Sequence, residues 1–315
     1  MTLLLSRSAL SQLLNVASCV SDLRSGFLAV PAEIEAQRVS TALPGPGTVT
    51  ALIPGLLPGI HAYTVKVNAK FPGAQPALRG VVCLHAEDSG ELLAVLDSAT
   101  VTAWRTGLAA ALGTDILARP SARTIAVIGA GAQSGLVFRG LAELRSLDRL
   151  VVCDLDSARA ESFAAAYADA RPTSIAADAG TAAREADIVV VATWSRDPLL
   201  HDGDLRPGTH VTSLGADEPG KAELSAGLLR SARVIVDDTR LALTSGALGT
   251  AGLSASDTAG TLSEVLRGTV TGRTSDSDIT VYTPVGLPWQ DLALAWAAYR
   301  QALAAGVGRE FDFRS

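Results

Sequence analysis

Charged side chains inside otherwise apolar segments are the first candidates for chemistry in this chain. Lys66 interrupts a strand-like run, Arg105 lies within a helix-like run, and Asp217 follows a buried strand and a turn. Burying an unpaired charge is costly, so a charge kept in such a setting needs a partner or a ligand. An arginine can present a planar fork to a substrate carboxylate, and a carboxylate can transfer a proton. A solvated or salt-bridged side chain is the competing interpretation at each position.

A glycine-rich turn follows the short apolar strand predicted over residues 123–128. Residues 129–134 read Gly-Ala-Gly-Ala-Gln-Ser and open a predicted helix. Gly129 permits the tight turn, Gly131 lets the backbone approach a pyrophosphate, and Ser134 is small enough for close packing of helix on strand. Because a strand precedes the turn and a helix follows it, the pattern predicts a dinucleotide site at the helix N-terminus.

Asp154 stands at the end of the next predicted strand, residues 149–153. A carboxylate at this place accepts hydrogen bonds from the ribose hydroxyls and repels a 2′-phosphate, which predicts NAD(H) rather than NADP(H). The alternative is that Asp154 only caps the following helix, although Asp156 or Ser157 can serve as that cap.

The pattern of predicted strands and helices that must position these residues changes near residue 120. Before it, short strands at 62–68, 80–85 and 91–96 lie between predicted helices at about 8–30 and 98–119. After it, buried strands alternate with Ala-rich helices, which is typical of a doubly wound parallel sheet. The predicted buried strands are residues 123–128, 149–153, 187–192, 210–214 and 233–236. A last amphipathic helix, about 288–306, is predicted to return to the first domain.

Composition excludes several classes of function. The net charge is −6 without a basic run, which argues against nucleic acid as a partner. No uncharged apolar stretch reaches the roughly 18–20 residues that span a bilayer. Cys19, Cys83 and Cys153 are odd in number and far apart, so reduced thiols in a cytoplasmic protein are expected rather than disulfides. The four histidines have no metal-ligand spacing, and we expect no metal.

Five segments, spread over nearly the whole chain, share a further pattern. They read Val-Lys-Val at 65–67, Asp-Ser-Ala-Thr-Val-Thr-Ala-Trp-Arg-Thr at 97–106, Ile-Gly-Ala-Gly-Ala-Gln at 128–133, Ser-Leu-Gly-Ala-Asp-Glu-Pro-Gly-Lys-Ala-Glu-Leu at 213–224, and Val-Gly-Leu-Pro-Trp-Gln-Asp at 285–291. Through these segments, in this order, the chain resembles the ornithine cyclodeaminase/μ-crystallin family. The joint occurrence is far more specific than any one segment.

The resemblance implies a domain plan and an assembly. A Rossmann domain, residues 119–287, is expected to be inserted in a discontinuous α+β domain for substrate binding and dimerisation, residues 1–118 and 288–315. The family plan further implies a homodimer that acts on a small amino acid or cyclic imine, with no membrane partner.

Site residues follow from the same resemblance. Arg38, Lys66 and Arg105 match positions that hold the substrate carboxylate and polarise its nitrogen-bearing carbon, and Asp217 matches the catalytic acid/base. Lys66 is therefore both a binding and a catalytic candidate. The expected cofactor-contacting residues are Thr106, Gly129, Gly131, Ala132, Gln133, Ser134, Asp154, Thr193, Val285 and Gly286. The chain departs from the family's Ser-Val-Gly by placing Pro284 before Val285 and Gly286.

Three functions remain open within this resemblance: net imine reduction or amino-acid dehydrogenation, redox-neutral cyclodeamination, and crystallin-like ligand binding. A cyclodeaminase needs a carboxylate for the distal ammonium of ornithine or lysine, and residues 68–76 contain none. Glu33 and Glu35 are the remaining candidates. The pattern therefore favours net redox chemistry, and the retained Lys66, Arg105 and Asp217 argue against pure binding.

Overall fold

A computed structural model describes residues 1–29, 38–45, 48–71, 74, 77–169, 171–313 and 315. The chain divides into two compact units, unit 1 with Met1–Thr106 and Leu287–Ser315, and unit 2 with Gly107–Gly286. The division between Thr106 and Gly107 lies within the helix Ser98–Leu117. It comes earlier in the chain than the boundary that the sequence suggests after residue 118. Glu33 and Glu35 lie outside the described residues.

The elements are numbered in chain order. The first part of the chain contains β1 (Thr2–Leu5), α1 (Arg7–Leu13), α2 (Val16–Leu28), β2 (Val39–Ala42), β3 (Val49–Gly55), β4 (Ala62–Lys70), β5 (Leu78–Ala86), β6 (Leu92–Asp97) and α3 (Ser98–Leu117). The middle contains β7 (Thr124–Ile128), α4 (Ala132–Leu144), β8 (Arg149–Cys153), α5 (Ser157–Tyr167), β9 (Thr173–Ile175), α6 (Ala179–Arg184), β10 (Ile188–Val191), β11 (His210–Ser213), α7 (Ala226–Ser231) and β12 (Arg233–Val236). The last part contains α8 (Thr239–Thr244), α9 (Ala247–Thr250), a 3₁₀ turn (Ala255–Asp257), β13 (Gly260–Thr261), α10 (Leu262–Leu266), β14 (Thr280–Tyr282), α11 (Pro288–Ala305) and β15 (Arg309–Phe311). Among the described helices, none has the length and apolar character needed to cross a membrane.

Unit 1 is built on a seven-stranded sheet with the order β15-β1-β6-β5-β4-β3-β2. Only the β1–β6 pair is parallel, and the other neighbours are antiparallel. The helical stretch predicted over about 8–30 is present as two helices, α1 and α2. Asn15 causes the break, since its side chain accepts a hydrogen bond from the Ser18 amide and caps α2.

Helix α11 packs against α2 and the strands β3 to β5 of unit 1, which is the return to the first domain that the sequence predicts. Its Trp289 lies edge-on to Phe27, with ring centroids 4.9 Å apart. A Cβ atom on Gly26 would lie 2.2 Å from the Trp289 ring. Only glycine therefore lets α2 come this close to α11.

Unit 2 contains an eight-stranded sheet with the order β13-β12-β14-β11-β10-β7-β8-β9, in which every neighbouring pair is parallel. Alternate residues of β7 and β10 join different buried clusters, such as Val189 with Ala126 and Val190 with Val127. Both faces of the sheet are therefore covered, which explains the continuous apolar runs of these strands. The predicted α/β fold, a Rossmann-type parallel sheet together with a second sheet-containing α+β part, is confirmed.

Candidate active site

The glycine-rich turn lies where the strand order reverses, at the carboxyl ends of the neighbouring strands β7 and β10. Gly129 has a φ of +89°, and a Cβ there would lie 2.5 Å from the Ala192 carbonyl oxygen. Gly131 begins α4 without a side-chain cap, and a Cβ there would meet nothing within 4 Å. The helix N-terminus is thus open to an anion, which fits the pyrophosphate of a dinucleotide.

The last three residues of the turn differ in exposure, and Ser134 has a structural role. Ala132 is exposed and Gln133 is half-buried, whereas Ser134 is buried. The Ser134 hydroxyl donates a hydrogen bond to the Gly129 carbonyl over 2.5 Å. Ser134 therefore fixes the turn as well as permitting close packing, a role that its size alone does not reveal.

Asp154 joins the glycine-rich turn to the turn before α5. Its Oδ2 accepts a hydrogen bond from the Ala130 amide over 2.7 Å, and its Oδ1 accepts one from the Asp156 amide over 2.9 Å. The helix cap is Asp156, which accepts from the amides of Ala158 and Arg159. The capping alternative for Asp154 is therefore excluded, and its carboxylate keeps further lone pairs for a ribose hydroxyl.

Thr193 follows β10 and is held by a carboxylate that the sequence does not single out. Its amide and hydroxyl both donate to Glu223 Oε1, over 2.6 and 2.8 Å. Glu223 Oε2 accepts from the Ser213 hydroxyl over 2.7 Å and the Gly215 amide over 2.8 Å. Burial raises the pKa of Glu223 to about 7, and these four hydrogen bonds oppose that rise.

The Val285–Gly286 segment is held by a second buried carboxylate. Asp237, just after β12, accepts hydrogen bonds from the Val285 amide over 3.1 Å and the Gly286 amide over 2.6 Å. Gly286 has a φ of +102°, a conformation that favours glycine. Burial raises the pKa of Asp237 to about 6, whereas the two amides lower it. Asp237 thus holds the two backbone amides of this segment.

Asp217 lies in the loop after β11 and pairs with Lys221, four residues later in the sequence. Lys221 Nζ donates to Asp217 Oδ1 over 2.8 Å and lies 3.3 Å from Glu218 Oε1. The same ammonium lies 4.5 Å from the centroid of the Trp194 ring. Lys221 is buried, but the Asp217 side chain keeps 42% of its exposure. The carboxylate is therefore oriented by Lys221 and still accessible to a ligand.

Unit 1 carries a separate cluster of buried charges. Lys66 from β4 forms an ion pair with Asp291 from the first turn of α11. Arg105 from α3 places its Nε 3.3 Å from Asp291 Oδ1 and its Nη1 3.4 Å from Gln290 Oε1. The side chains of Lys66, Arg105 and Asp291 are at most 7% exposed. Three elements distant in sequence thus bring two predicted cations onto one carboxylate.

The charge balance of this cluster is positive. The pKa of Lys66 falls from its usual 10.5 to about 8, mainly because the side chain is buried. The Asp291 carboxylate opposes this fall, and the charges of Arg105 and Arg38 add to it. Arg38 itself is exposed at the start of β2, and Thr106 is half-buried next to Arg105 in α3. Among the described residues of this cluster, Lys66 and Arg105 carry two positive charges against the single negative charge of Asp291, so positive charge is left for an anionic ligand.

Sequence reasoning missed three buried carboxylates: Glu223, Asp237 and Asp291. Asp291 interrupts an apolar helix as Arg105 does, so the same criterion identifies it. Asp237 follows a buried strand, as Asp154 does, and was open to the same argument. Glu223 lies in an irregular loop with no periodicity, and its role depends on a hydrogen-bond pattern that only the tertiary structure creates.

The family model described as "Ornithine cyclodeaminase/mu-crystallin family" matches residues 2–306. The chain belongs to this family. The resemblance seen in the five sequence segments is therefore confirmed over almost the entire length.

Relatives within the family differ in activity. An alanine dehydrogenase of Archaeoglobus fulgidus is 31% identical over 242 residues, which cover 76% of this chain and 75% of the relative. A Delta(1)-pyrroline-2-carboxylate reductase of Bacillus cereus is 31% identical over 277 residues, 84% of this chain and 85% of the relative. An L-lysine cyclodeaminase of Streptomyces rapamycinicus is 38% identical over 165 residues, 51% of this chain and 48% of the relative. An archaeal alanine dehydrogenase dimer solved with bound NAD has a TM-score of 0.91 and 27% identity, and the match covers 99% of each chain.

Proposed function

We propose that this protein is an NAD(P)H-dependent oxidoreductase that reduces a cyclic imine or ketimine carboxylate, or reversibly deaminates a small amino acid. The observation that carries the proposal is the buried Lys66–Asp291–Arg105 cluster, which has more positive than negative charge. A family member with this cluster and an open dinucleotide turn has the parts that such chemistry needs. The alanine dehydrogenase and pyrroline-2-carboxylate reductase relatives support the same reaction class.

Unit 1 supplies the binding of the substrate carboxylate in this proposal. Arg105 presents a guanidinium fork, Lys66 presents an ammonium, and Arg38 adds a third cation. Because the pKa of Lys66 is about 8, its side chain is mostly protonated at neutral pH and can pair with a carboxylate. Binding at this charged group fixes the position of the substrate's α-carbon.

Unit 2 supplies the cofactor site and the proton. The turn at residues 129–134 would hold the pyrophosphate, Asp154 the ribose, and the Thr193 and Val285–Gly286 segments the nicotinamide side. When bound, the nicotinamide supplies a hydride to the C=N carbon or accepts one from the amino acid. Asp217 gives a proton to the imine nitrogen during reduction and removes it in the reverse direction.

The test of this proposal is NADH consumption by the purified protein, followed by absorbance. Pyrroline-2-carboxylate, piperideine-2-carboxylate and pyruvate with ammonia are offered separately. We expect at least one of them to oxidise NADH at a rate that depends on protein concentration. If none does, and none of the corresponding amino acids reduces NAD, net redox chemistry with these substrates is ruled out.

Redox-neutral cyclodeamination is the second candidate, because one relative is a lysine cyclodeaminase. Asp291 cannot serve as the carboxylate for a distal ammonium, since it is already shared by Lys66 and Arg105. Release of ammonia from ornithine or lysine, with NAD neither gained nor lost, would favour this candidate. Ligand binding without any turnover would favour the crystallin-like role instead.

We propose NAD(H) rather than NADP(H) as the cofactor, on the basis of the Asp154 carboxylate. We expect Asp154→Ser to shift the NADH-to-NADPH affinity ratio toward NADPH by about tenfold to a hundredfold, as loss of a charge-assisted hydrogen bond predicts. Titration of both cofactors against protein fluorescence measures the ratio. Asp156→Ser is the matched control, because serine can also cap α5 and the ratio should stay unchanged. An unchanged ratio in Asp154→Ser would contradict the assignment.

We propose that the protein forms a homodimer through one face of the unit 1 sheet. Val39, Leu52, Val67 and Val81 are directly paired across β2 to β5 and are 37–52% exposed. Directly paired residues share a face, so these side chains form an apolar row of the kind found at interfaces. The dimeric archaeal relative supports this proposal. Sedimentation should give a dimer for the wild type and a monomer for the Leu52→Lys/Val67→Lys variant, and a monomeric wild type would refute it.

A further inference from the structure

The buried Glu223 carboxyl connects three parts of unit 2 that belong to the proposed cofactor and proton-transfer machinery. It lies in the segment between β11 and α7 and is 1% exposed. Its backbone is fixed as well, because the Glu223 carbonyl accepts hydrogen bonds from the amides of Leu199 and Leu200. The side chain therefore projects from a rigid support.

All four hydrogen bonds to the carboxyl come from neutral donors at the ends of two adjacent strands. Thr193 follows β10 and donates twice to Oε1, whereas Ser213 ends β11 and Gly215 follows it, and both donate to Oε2. Two of the four donors are backbone amides, which cannot become acceptors. The site is thus built for an acceptor on both oxygens, which an ionised carboxylate provides and an amide does not.

The effect of this arrangement reaches the glycine-rich turn through Thr193. A Cβ on Gly129 would lie 2.9 Å from Thr193 Cγ2, so the threonine side chain lies directly against the turn. On the other side, Gly215 has no room for a side chain, because a Cβ would lie 2.4 Å from Glu223 Oε1 and 2.3 Å from the Thr193 carbonyl. Asp217 lies two residues further along the same loop.

We infer that Glu223 is a positioning residue that holds Thr193 against the glycine-rich turn and holds the loop leading to Asp217. The inference rests on the proposed function, because it assumes that the turn binds a nicotinamide dinucleotide. Glu223 touches neither substrate nor cofactor in this assignment. It sets dinucleotide affinity by fixing the backbone that the dinucleotide contacts.

The test measures the Kd of NADH for the full-length protein in the absence of substrate, from quenching of tryptophan fluorescence. We expect Glu223→Gln to weaken NADH binding about tenfold or more, because its amide group must face a backbone N–H donor. Ser213→Ala removes one of the four hydrogen bonds at a residue without a proposed cofactor contact. This second variant should weaken binding about twofold to tenfold, and it tests the inference if Glu223→Gln does not fold.

The matched control is Asp187→Asn. Asp187 also accepts two backbone amides, from Arg123 and Thr124, both on Oδ2. It lies at the amino-terminal ends of β7 and β10, whereas Glu223 bonds donors at the carboxyl ends of β10 and β11. The Asp187→Asn substitution should lower thermal stability and leave the Kd of NADH within about twofold of wild type, as expected for a distant independent site. If Glu223→Gln and Ser213→Ala both bind NADH like wild type, the inference is overturned while the proposed function stands. If the wild type itself does not bind NADH or NADPH, the proposed function fails first.

Discussion

We expect Asp217→Asn to lower kcat by about 10²–10⁴-fold, the usual contribution of a positioned general acid or base. Asparagine keeps the shape of the side chain and an oxygen that can accept the hydrogen bond from Lys221 Nζ, so the loop should be preserved. It cannot give or take the proton. Steady-state kinetics with the best imine substrate measures the effect, and NADH affinity should stay close to that of the wild type.

Glu218→Gln is the matched control for Asp217→Asn. Glu218 is the next residue and also lies within ion-pair distance of Lys221, at 3.3 Å. Because Glu218 has no proposed role in proton transfer, kcat should change by less than about threefold, well below the effect of losing a general acid or base. Undiminished turnover in Asp217→Asn, or an equal loss in both variants, would remove Asp217 from the mechanism.

We expect Asp291→Asn to destabilise the protein strongly. It leaves the charges of Lys66 and Arg105 buried without their carboxylate, and breaking a buried pair in this way costs about 3–5 kcal/mol. Denaturant unfolding measures the change in free energy. Arg184→Gln is the control, because it breaks the more exposed Arg184–Asp204 pair and should cost less than about 1 kcal/mol.

The Asp291→Asn effect should depend on pH in a defined direction. Asp291 raises the pKa of Lys66, so its loss lowers that pKa below the wild-type value of about 8. The unfolded lysine remains protonated up to about pH 10.5. Between these limits the unfolded state binds more protons, and stability rises with pH. Raising the pH from about 7 to about 9 should therefore recover part of the lost stability.

Substrate binding should weaken as the pH rises, whereas the stability of Asp291→Asn should increase. In the proposed mechanism the Lys66 ammonium pairs with the substrate carboxylate. Because a neutral Lys66 would lose this attraction, we expect KM to rise as the pH passes the pKa of Lys66. The rise should begin near pH 8 in the wild type and at lower pH in Asp291→Asn. Equal stability losses at both pH values, together with parallel KM profiles, would show that Asp291 does not control the charge of Lys66.

The sequence predicted those parts of the site that depend on local geometry. The turn at Gly129 and Gly131, the carboxylate at Asp154 and the open start of α4 all follow from a strand, a turn and a helix in succession. Such a unit uses contacts between residues close in sequence, and its glycine positions are dictated by backbone conformation. The alternating strands and helices also predicted the parallel sheet, because a strand buried on both faces must be apolar throughout.

The partners of the isolated charges could not be read from the sequence. Lys66 and Asp291 are 225 positions apart, and no local pattern connects them. Thr193 and Glu223 meet because β10 and β11 are neighbours in the sheet, which brings a loop residue beneath two strand ends. A charged residue within an apolar segment indicates that a partner is needed, but the identity of that partner depends on how distant elements pack. Local patterns were therefore enough to indicate the fold class, the glycine-rich turn and the candidate charges, whereas the carboxylate that holds each charge depends on long-range packing.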